Sequence, residues 1–289
     1  MHSNCFFCHL KTLEKQIEKF EPSETVRQNM IAAFVQRFGE LQGKNNPEVA
    51  RELHAIIRNH IGETDPYSKE KAEGNRKALE LLPQWTARIK KASNPVFEAF
   101  KLALAANIID FGPNHQFDIE QDIERLYNQE LAVNDFQALN KRLKTARRVF
   151  YIGDNAGEIV FDKFLLEQID VPEKYFGVRG APIINDALLS DANETGIDKI
   201  ATIISNGNDA PSTLLHLCTD DFNAVFNTSD LIIAKGMGNF EGLMNMNDER
   251  LFFALVVKCQ AIGDLLGQKK GDTVLINSTK VKSITAKSF

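Results

Sequence analysis

Val149-Phe150-Tyr151-Ile152-Gly153-Asp154-Asn155-Ala156-Gly157-Glu158-Ile159-Val160-Phe161-Asp162 is the stretch on which the fold turns. Its first four residues are bulky and apolar without alternation, as in a strand buried on both faces. Gly153 to Gly157 break the run, and Ile159, Val160, Phe164 and Leu165 resume as a helix. Strand, polar glycine-containing loop and helix form the unit from which parallel sheets are built. That unit recurs. Tyr175-Phe176-Gly177-Val178, Ile200 to Ile204, Leu231-Ile232-Ile233 and Thr273 to Ile276 read as four more strands, each set among helical stretches.

Upstream the texture differs. From Leu10 to about Gln137 the chain reads as nearly uninterrupted helix, with Leu13, Ile17 and Phe20 at helical spacing and then Val49, Leu53, Ile56 and Ile57. Breaks fall at Glu21-Pro22-Ser23, Gly43 to Pro47 and Gly62 to Pro66, with Ser23 placed to N-cap the next helix. Another helix starts at Pro95. The expected architecture is α/β: a helical N-terminal domain over 1–140 that covers the active site, then a three-layer α/β/α domain over 141–289 around a mostly parallel sheet.

Composition narrows the function. The 289 residues, 43% hydrophobic and 25% charged, are those of an ordinary globular chain. A net charge of −5 provides no general attraction to nucleic acid or anionic membrane. No stretch reaches the roughly 18 apolar residues of a membrane span, and Met1 to Lys19 lack a signal-peptide apolar core. A cytoplasmic protein is expected, without nucleic-acid or membrane partners; the oligomeric state is not legible. Cys5 and Cys8 form a CxxC pair, two of the four ligands of a structural zinc, with no second pair nearby. Cys218 and Cys259 read as small hydrophobes buried in helical surroundings.

Open parallel sheets bind ligands outside the carboxyl ends of their strands, and the polar clusters of this chain fall there. Asp154-Asn155 follows the first strand, Asn185-Asp186 lies beyond the second, Asn206-Gly207 follows the third, and Lys235 to Asn239 follows the fourth. Asp154, Asn155 and Asp186 supply oxygen ligands with no His or Cys among them, a set suited to a hard divalent cation such as magnesium or manganese. Lys235 brings positive charge for phosphate oxygens. Glu158, one turn into the following helix, is placed to support the site or act as general base. Each residue has a plainer use: Asp and Asn after strands cap helices, and a Lys-Gly pair makes turns. No Walker or GxGxxG string is present.

These residues resemble the metal-dependent damage-control phosphatases, also known as domain of unknown function eighty-nine. The resemblance spans nearly the whole chain. It runs through Cys5 to Cys8, Asp65-Pro66-Tyr67 with Lys69 and Asn75, and Asn107 to Gly112, where Ala106 stands in place of a frequent glycine. It continues through Gly153 to Asp162, Asn185-Asp186-Ala187, Ser205-Asn206-Gly207, Lys235 to Glu241 and Lys258-Cys259. The CxxC pair is similar to the branch found in archaea and bacteria. The resemblance implies a divalent metal (Mg, Mn, Co or Ni) on Asp154, Asn155 and Asp186, a phosphate-binding Lys235, and hydrolysis of sugar phosphates or damaged phosphometabolites. Metal-bound water is the favoured nucleophile, with direct attack by Asp154 as the alternative. Asp154, Glu158 and Lys235 are thus the expected catalytic residues. The substrate is expected to meet Lys235, Asn185, Asn206, Gly207 and Asn239, with Asn75, Asn107 and Asp110 contributed from the helical half. Two other readings compete. A carboxyl methyltransferase using S-adenosylmethionine would want an acidic residue ending the second strand, where Val178-Arg179-Gly180 stands instead. A non-catalytic metal- or metabolite-binding module would keep the ligands without the chemistry.

Overall fold

The computed structural model describes residues 3–108 and 119–285. Helices α1 (Ser3–Phe20), α2 (Glu24–Glu40), α3 (Asn46–Ile61), α4 (Ser68–Ile89), α5 (Pro95–Ala105) and α6 (Ile119–Asn128) come first. The edge strand β1 (Val133–Asn134) and α7 (Phe136–Leu143) come next. The remainder alternates: β2 (Arg148–Ile152), α8 (Glu158–Glu167), β3 (Glu173–Val178), α9 (Leu189–Glu194), β4 (Thr202–Ser205), α10 (Asp220–Thr228), β5 (Leu231–Lys235) and α11 (Gly236–Leu243). It ends with β6 (Leu251–Val256), α12 (Gln260–Leu266), β7 (Thr273–Asn277) and α13 (Ser278–Thr285). None of the described helices is long and apolar enough to cross a membrane.

The helix boundaries obey local chemistry. Ser23 accepts from Val26 N and caps α2. Asn45 and Glu48 close a capping box on α3, which Gly62 ends in the left-handed conformation. Asn94 caps α5, with Pro95 in its first turn.

The seven strands lie in the order β1-β7-β6-β5-β2-β3-β4. β4, β3, β2, β5 and β6 run parallel; β7 is antiparallel to β6, and β1 pairs parallel with β7. Side chains alternate between two cores, as a two-residue period requires. Val149, Tyr151, Leu231 and Ile233 face a core shared with α4, α5, α6 and α8. Phe150, Ile152, Ile232 and Ala234 face the one shared with α10, α11 and α12. The result is an α/β/α sandwich. Leu13, Ile17, Met30, Phe34, Leu53 and Ile57 of α1–α3 build a third, separate core.

Two strands escape the sequence reading. β6 is a continuous apolar run with no turn signal inside it, and periodicity does not separate such a run from a buried helix. β1 is two residues long and is defined by its pairing alone. The cysteines also differ from expectation. Cys218 closes a short 3-10 turn and Cys259 precedes α12, and both are half-buried rather than enclosed in helices. The order of strands reverses between β2 and β5, which are neighbours in the sheet but far apart in sequence. The loops leaving these two strands therefore flank the crevice where α/β sheets take ligands.

Candidate active site

The loop after β2 is zipped to the loop after β3 through backbone groups. Ala156 N donates to Asn185 O at 2.9 Å, and Ala187 N donates to Asp154 O at 2.8 Å. Asn155 and Asp186 form an isolated antiparallel bridge. Residues more than thirty positions apart are thus held side by side. Arg179, leaving β3, serves both carboxylates: its Nε donates to Asp186 Oδ2 at 2.6 Å, and its Nη2 stands 3.7 Å from Asp154 Oδ1.

The loop after β5 completes the floor. Gly236 adopts φ +78°, and a Cβ there would fall 1.8 Å from Asp154 Oδ2. Glycine is needed twice over, for the backbone conformation and for the carboxylate lying against it. Asn155 Nδ2 donates to Asp154 Oδ2 (3.0 Å) and to Glu158 Oε2 (3.1 Å). That geometry leaves the carbonyl oxygen of Asn155 as its ligating end.

Beneath this floor lies a buried ionic cluster. Glu158 and Asp162 are four residues apart on α8 and so share one face. Lys235 Nζ, fully buried, donates to Glu158 Oε1 (2.5 Å), Asp162 Oδ1 (2.7 Å) and Ala103 O (2.8 Å). Tyr151 Oη donates to Asp162 Oδ1 at 2.6 Å. Asn107 Nδ2 bridges Asp154 Oδ2 (3.0 Å) and Glu158 Oε2 (2.8 Å). Burial alone would raise the pKa of Glu158, but Lys235 and Asn107 outweigh it and hold the carboxylate ionised. Burial, then the negative charges of Glu158 and Asp186, push Asp154 up to about 7. Asp186 is also raised, chiefly by burial, against the pull of Arg179.

The donor set suits a divalent cation. Asp154, Asn155 and Asp186 present oxygens only, the preference of hard ions. The four buried carboxylates Asp154, Glu158, Asp162 and Asp186 face two buried cations, Lys235 and Arg179. A divalent ion would neutralise the excess. Among the described residues no group of three or more His, Cys, Asp and Glu side chains is arranged for a metal, and the oxygen donor that stands beside Asp154 and Asp186 is the Asn155 amide.

Asp154, Asn155, Asn185 and Asp186 open into a cavity of about 660 Å³, roofed by α1 and α3 through residues such as Cys8, His9, Lys15 and His54. The roof is fastened by polar contacts. Asp209 accepts from Arg51 Nε and Arg58 Nη2, both at 2.5 Å, and Arg58 Nη1 donates to Pro182 O at 2.9 Å.

Other expected site residues sit elsewhere. Lys235 does not reach the cavity: an ammonium has three donors, and all three are engaged below the floor. Glu158 is equally enclosed. Asn75 is buried and accepts from Gly157 N at 2.7 Å, which shapes the start of α8. Asn206 Oδ1 accepts from Gly180 N (2.9 Å) and Asn208 N (3.0 Å), and Gly207 turns the chain at φ +78°. Asn239 holds Arg179 Nη1 at 2.9 Å. These residues, with Asn107, shape the loops rather than the cavity surface. Asp110 lies outside the described residues.

Four residues of consequence received no role from the sequence, although Asp162, Glu241 and Lys258 fall within the strings that carry the resemblance. Asp162 and Arg179 complete the ionic framework. Lys258, just beyond β6, is exposed, lines the cavity, and lowers the pKa values of Asp154, Glu158 and Asp186 by its charge. Glu241 lines the same cavity.

The chain is similar to known proteins over most of its length. A family model described as the damage-control phosphatase ARMT1-like domain matches residues 1–274. The chain is 31% identical to a damage-control phosphatase of Pyrococcus horikoshii, covering 95% of this chain and 96% of that one. An uncharacterized protein of Methanocaldococcus jannaschii is also 31% identical, with 94% and 93% covered. A damage-control phosphatase of Archaeoglobus fulgidus is 32% identical, with 79% and 81% covered. The crystal structure of a DUF89 family protein from Pyrococcus horikoshii superposes with a TM-score of 0.86 at 29% identity, covering 96% of this chain and 99% of that one.

Proposed function

This chain belongs to the damage-control phosphatase ARMT1-like family, and from that membership we propose that it hydrolyses small phosphate esters, sugar phosphates or damaged phosphometabolites, using a divalent metal on Asp154, Asn155 and Asp186. The observation that supports the reading is the backbone pairing of Asn155 with Asp186, beside Asp154, all three residues lining one cavity. Asp154, Asn155 and Asp186 would hold the divalent ion, which when bound would supply positive charge for a phosphoryl oxygen and for the activation of water.

The chain's own groups do the rest. Lys258 is the cation that meets the phosphate: like Lys15 it lines the cavity without an ion pair among the described residues, but it is Lys258 whose charge acts on Asp154 and Asp186. Lys235 acts at one remove. It keeps Glu158 ionised, and Glu158 and Asn107 together orient Asn155 and Asp154. Arg179 fixes Asp186 and is itself fixed by Asn239.

The test is turnover of p-nitrophenyl phosphate and a sugar-phosphate panel by folded protein with magnesium, manganese, cobalt or nickel. Inactivity with every metal ends the proposal. Two substitutions probe its parts. Lys258→Ala removes a charge-assisted contact of about 1.5–3 kcal/mol, so kcat/KM should fall roughly 10- to 100-fold while circular dichroism is unchanged. Gly236→Ala puts a methyl group onto the Asp154 carboxylate in a left-handed backbone. Calorimetric titration should show manganese affinity falling at least ~10-fold, as seen when the support of a metal ligand is disturbed. Unaltered affinity would mean that Asp154 is not a ligand.

A further inference from the structure

Glu158, Asp162 and Asp186 each face a buried cation at salt-bridge distance, and Asp154 stands beside Arg179. Glu241 on α11 has none: among the described residues it makes no ion pair, although it lines the cavity. Its side-chain contact is Asn46 at the start of α3, whose Nδ2 lies 3.0 and 3.2 Å from the two carboxyl oxygens. Asn46 is held in turn, with Oδ1 2.9 Å from His9 Nε2. An amide nitrogen donates and does not accept. A protonated Glu241 therefore carries an O–H that Asn46 cannot satisfy, on a group whose other neighbour is the cavity.

Its position along α11 is equally specific. Gly236, at the first turn, touches the Asp154 carboxylate. Glu241 stands five residues on, about 7.5 Å along the axis at roughly 1.5 Å per residue and turned about 140° round it. Met237, Gly238 and Glu241 line the cavity that Asp154, Asn155 and Asp186 also line. A phosphate ester held at the Asp154 end therefore has its leaving oxygen in the space that Glu241 lines. Burial, opposed by Asn46, pushes the Glu241 carboxyl up to about 7, so the acid form is populated near neutral pH. The titratable groups around it are His9 behind Asn46, Cys259, whose thiol feels its charge, and Cys8 and Lys258 on the cavity wall.

We infer that Glu241, positioned by Asn46 and His9, is the general acid that protonates the leaving oxygen of the ester, an inference that rests on the phosphatase reading above. Water forms the new P–O bond and passes its proton to the water of the cavity. The bond from phosphorus to the ester oxygen breaks with its electron pair staying on that oxygen, which takes the proton from Glu241. The alcohol departs, and the Glu241 carboxylate regains a proton from water in the cavity. Phosphate and alcohol are the products.

A general acid matters most when the leaving group is most basic, so the experiment compares leaving groups. The kcat/KM of wild type and Glu241→Gln is measured on p-nitrophenyl phosphate and on an alkyl sugar phosphate. On the alkyl ester the variant should lose about 10²- to 10⁴-fold, the usual worth of a positioned acid. The loss on the aryl ester should be smaller by at least ~10-fold. Equal losses on both esters would make Glu241 a positioning residue and overturn the inference, as would no loss on the alkyl ester. Wild type alone provides a reading independent of the variant's folding: across a series of esters, kcat/KM should depend weakly on leaving-group basicity, and a steep dependence overturns the assignment. Failure of wild type to turn over any ester would instead remove the phosphatase reading itself, and the inference with it.

Discussion

Asp154→Asn is expected to abolish metal-dependent phosphatase turnover while making the metal-free protein more stable. The activity loss comes from removing a charged ligand. A metal contributes several kcal/mol of transition-state stabilisation, and each 1.36 kcal/mol is tenfold in rate, so kcat/KM should fall by at least ~10³-fold. The stability gain comes from the position of the carboxylate. Asp154 is buried, near Glu158 and Asp186, and its pKa rises from 3.8 to about 7 on folding. Between those two values the folded state binds more protons than the unfolded state, so stability decreases as pH rises from about 4 to about 7. At pH 7 and above the ionised group therefore costs the metal-free fold on the order of a few kcal/mol, a cost that asparagine does not carry. Thermal unfolding of metal-free protein should give a higher Tm for the variant at pH 7.5, with the difference shrinking toward pH 4. Added manganese should raise the Tm of wild type and leave that of the variant almost unmoved, because only a bound ligand shifts the unfolding equilibrium. A wild-type Tm that ignores every divalent ion would refute the site.

The two halves of this prediction belong together. A cluster in which four carboxylates surround two cations is poorly balanced until something positive arrives, and the ligand residues carry that imbalance. With the proposed metal site, function would depend on stability withheld from the metal-free state, a familiar trade at active sites.

The local units of the fold were legible because they are written in consecutive residues. Val149 to Ile152, then Gly153 to Gly157, then the helix of Ile159 and Phe164, state strand, loop and helix in order, and the breaks at Pro22, Pro47 and Pro66 separate the first helices. The grouping of Asp154, Asn155 and Asp186 was legible from the rule for strand ends, and the loops carrying them do pair. The direction of side chains was not. Lys235 stands at a strand end in the sequence, but its position does not reveal that its three protons point beneath the site. A signal was present in Glu158 and Asp162: two carboxylates four apart, with only Ile159, Val160 and Phe161 between them, share one face of a helix rich in apolar residues, and once buried they need a cation. Lys258 was hidden for a related reason. Leu251 to Val256 was not read as a strand, and only as one beside β5 does it bring Lys258 to a carboxyl end, on the cavity that Asp154, Asn155 and Asp186 line.

Lys235→Met should destabilise the fold more than the substitutions at Asp154, Gly236, Glu241 or Lys258, by about 3–5 kcal/mol, because it leaves Glu158 and Asp162 buried without their counter-ion. Removing one partner of a buried pair costs far more than replacing the whole set, since the remaining charge keeps its desolvation penalty. Lys235→Met combined with Glu158→Gln and Asp162→Asn should accordingly recover most of the loss, as read from urea unfolding midpoints with unchanged m-values. Activity should not return with it. In the triple variant Asn155 Nδ2 and Asn107 Nδ2 lose the ionised oxygen that orients them, so the Asp154–Asn155 pair is less well held and kcat/KM should stay roughly 10- to 100-fold below wild type, the range for lost support of metal ligands. Full activity in a refolded triple variant would show that the ionic cluster serves the fold alone. A Lys235→Met protein within about 1 kcal/mol of wild type, the scale of an exposed pair, would show that Lys235 is not the buried counter-ion on which this floor stands.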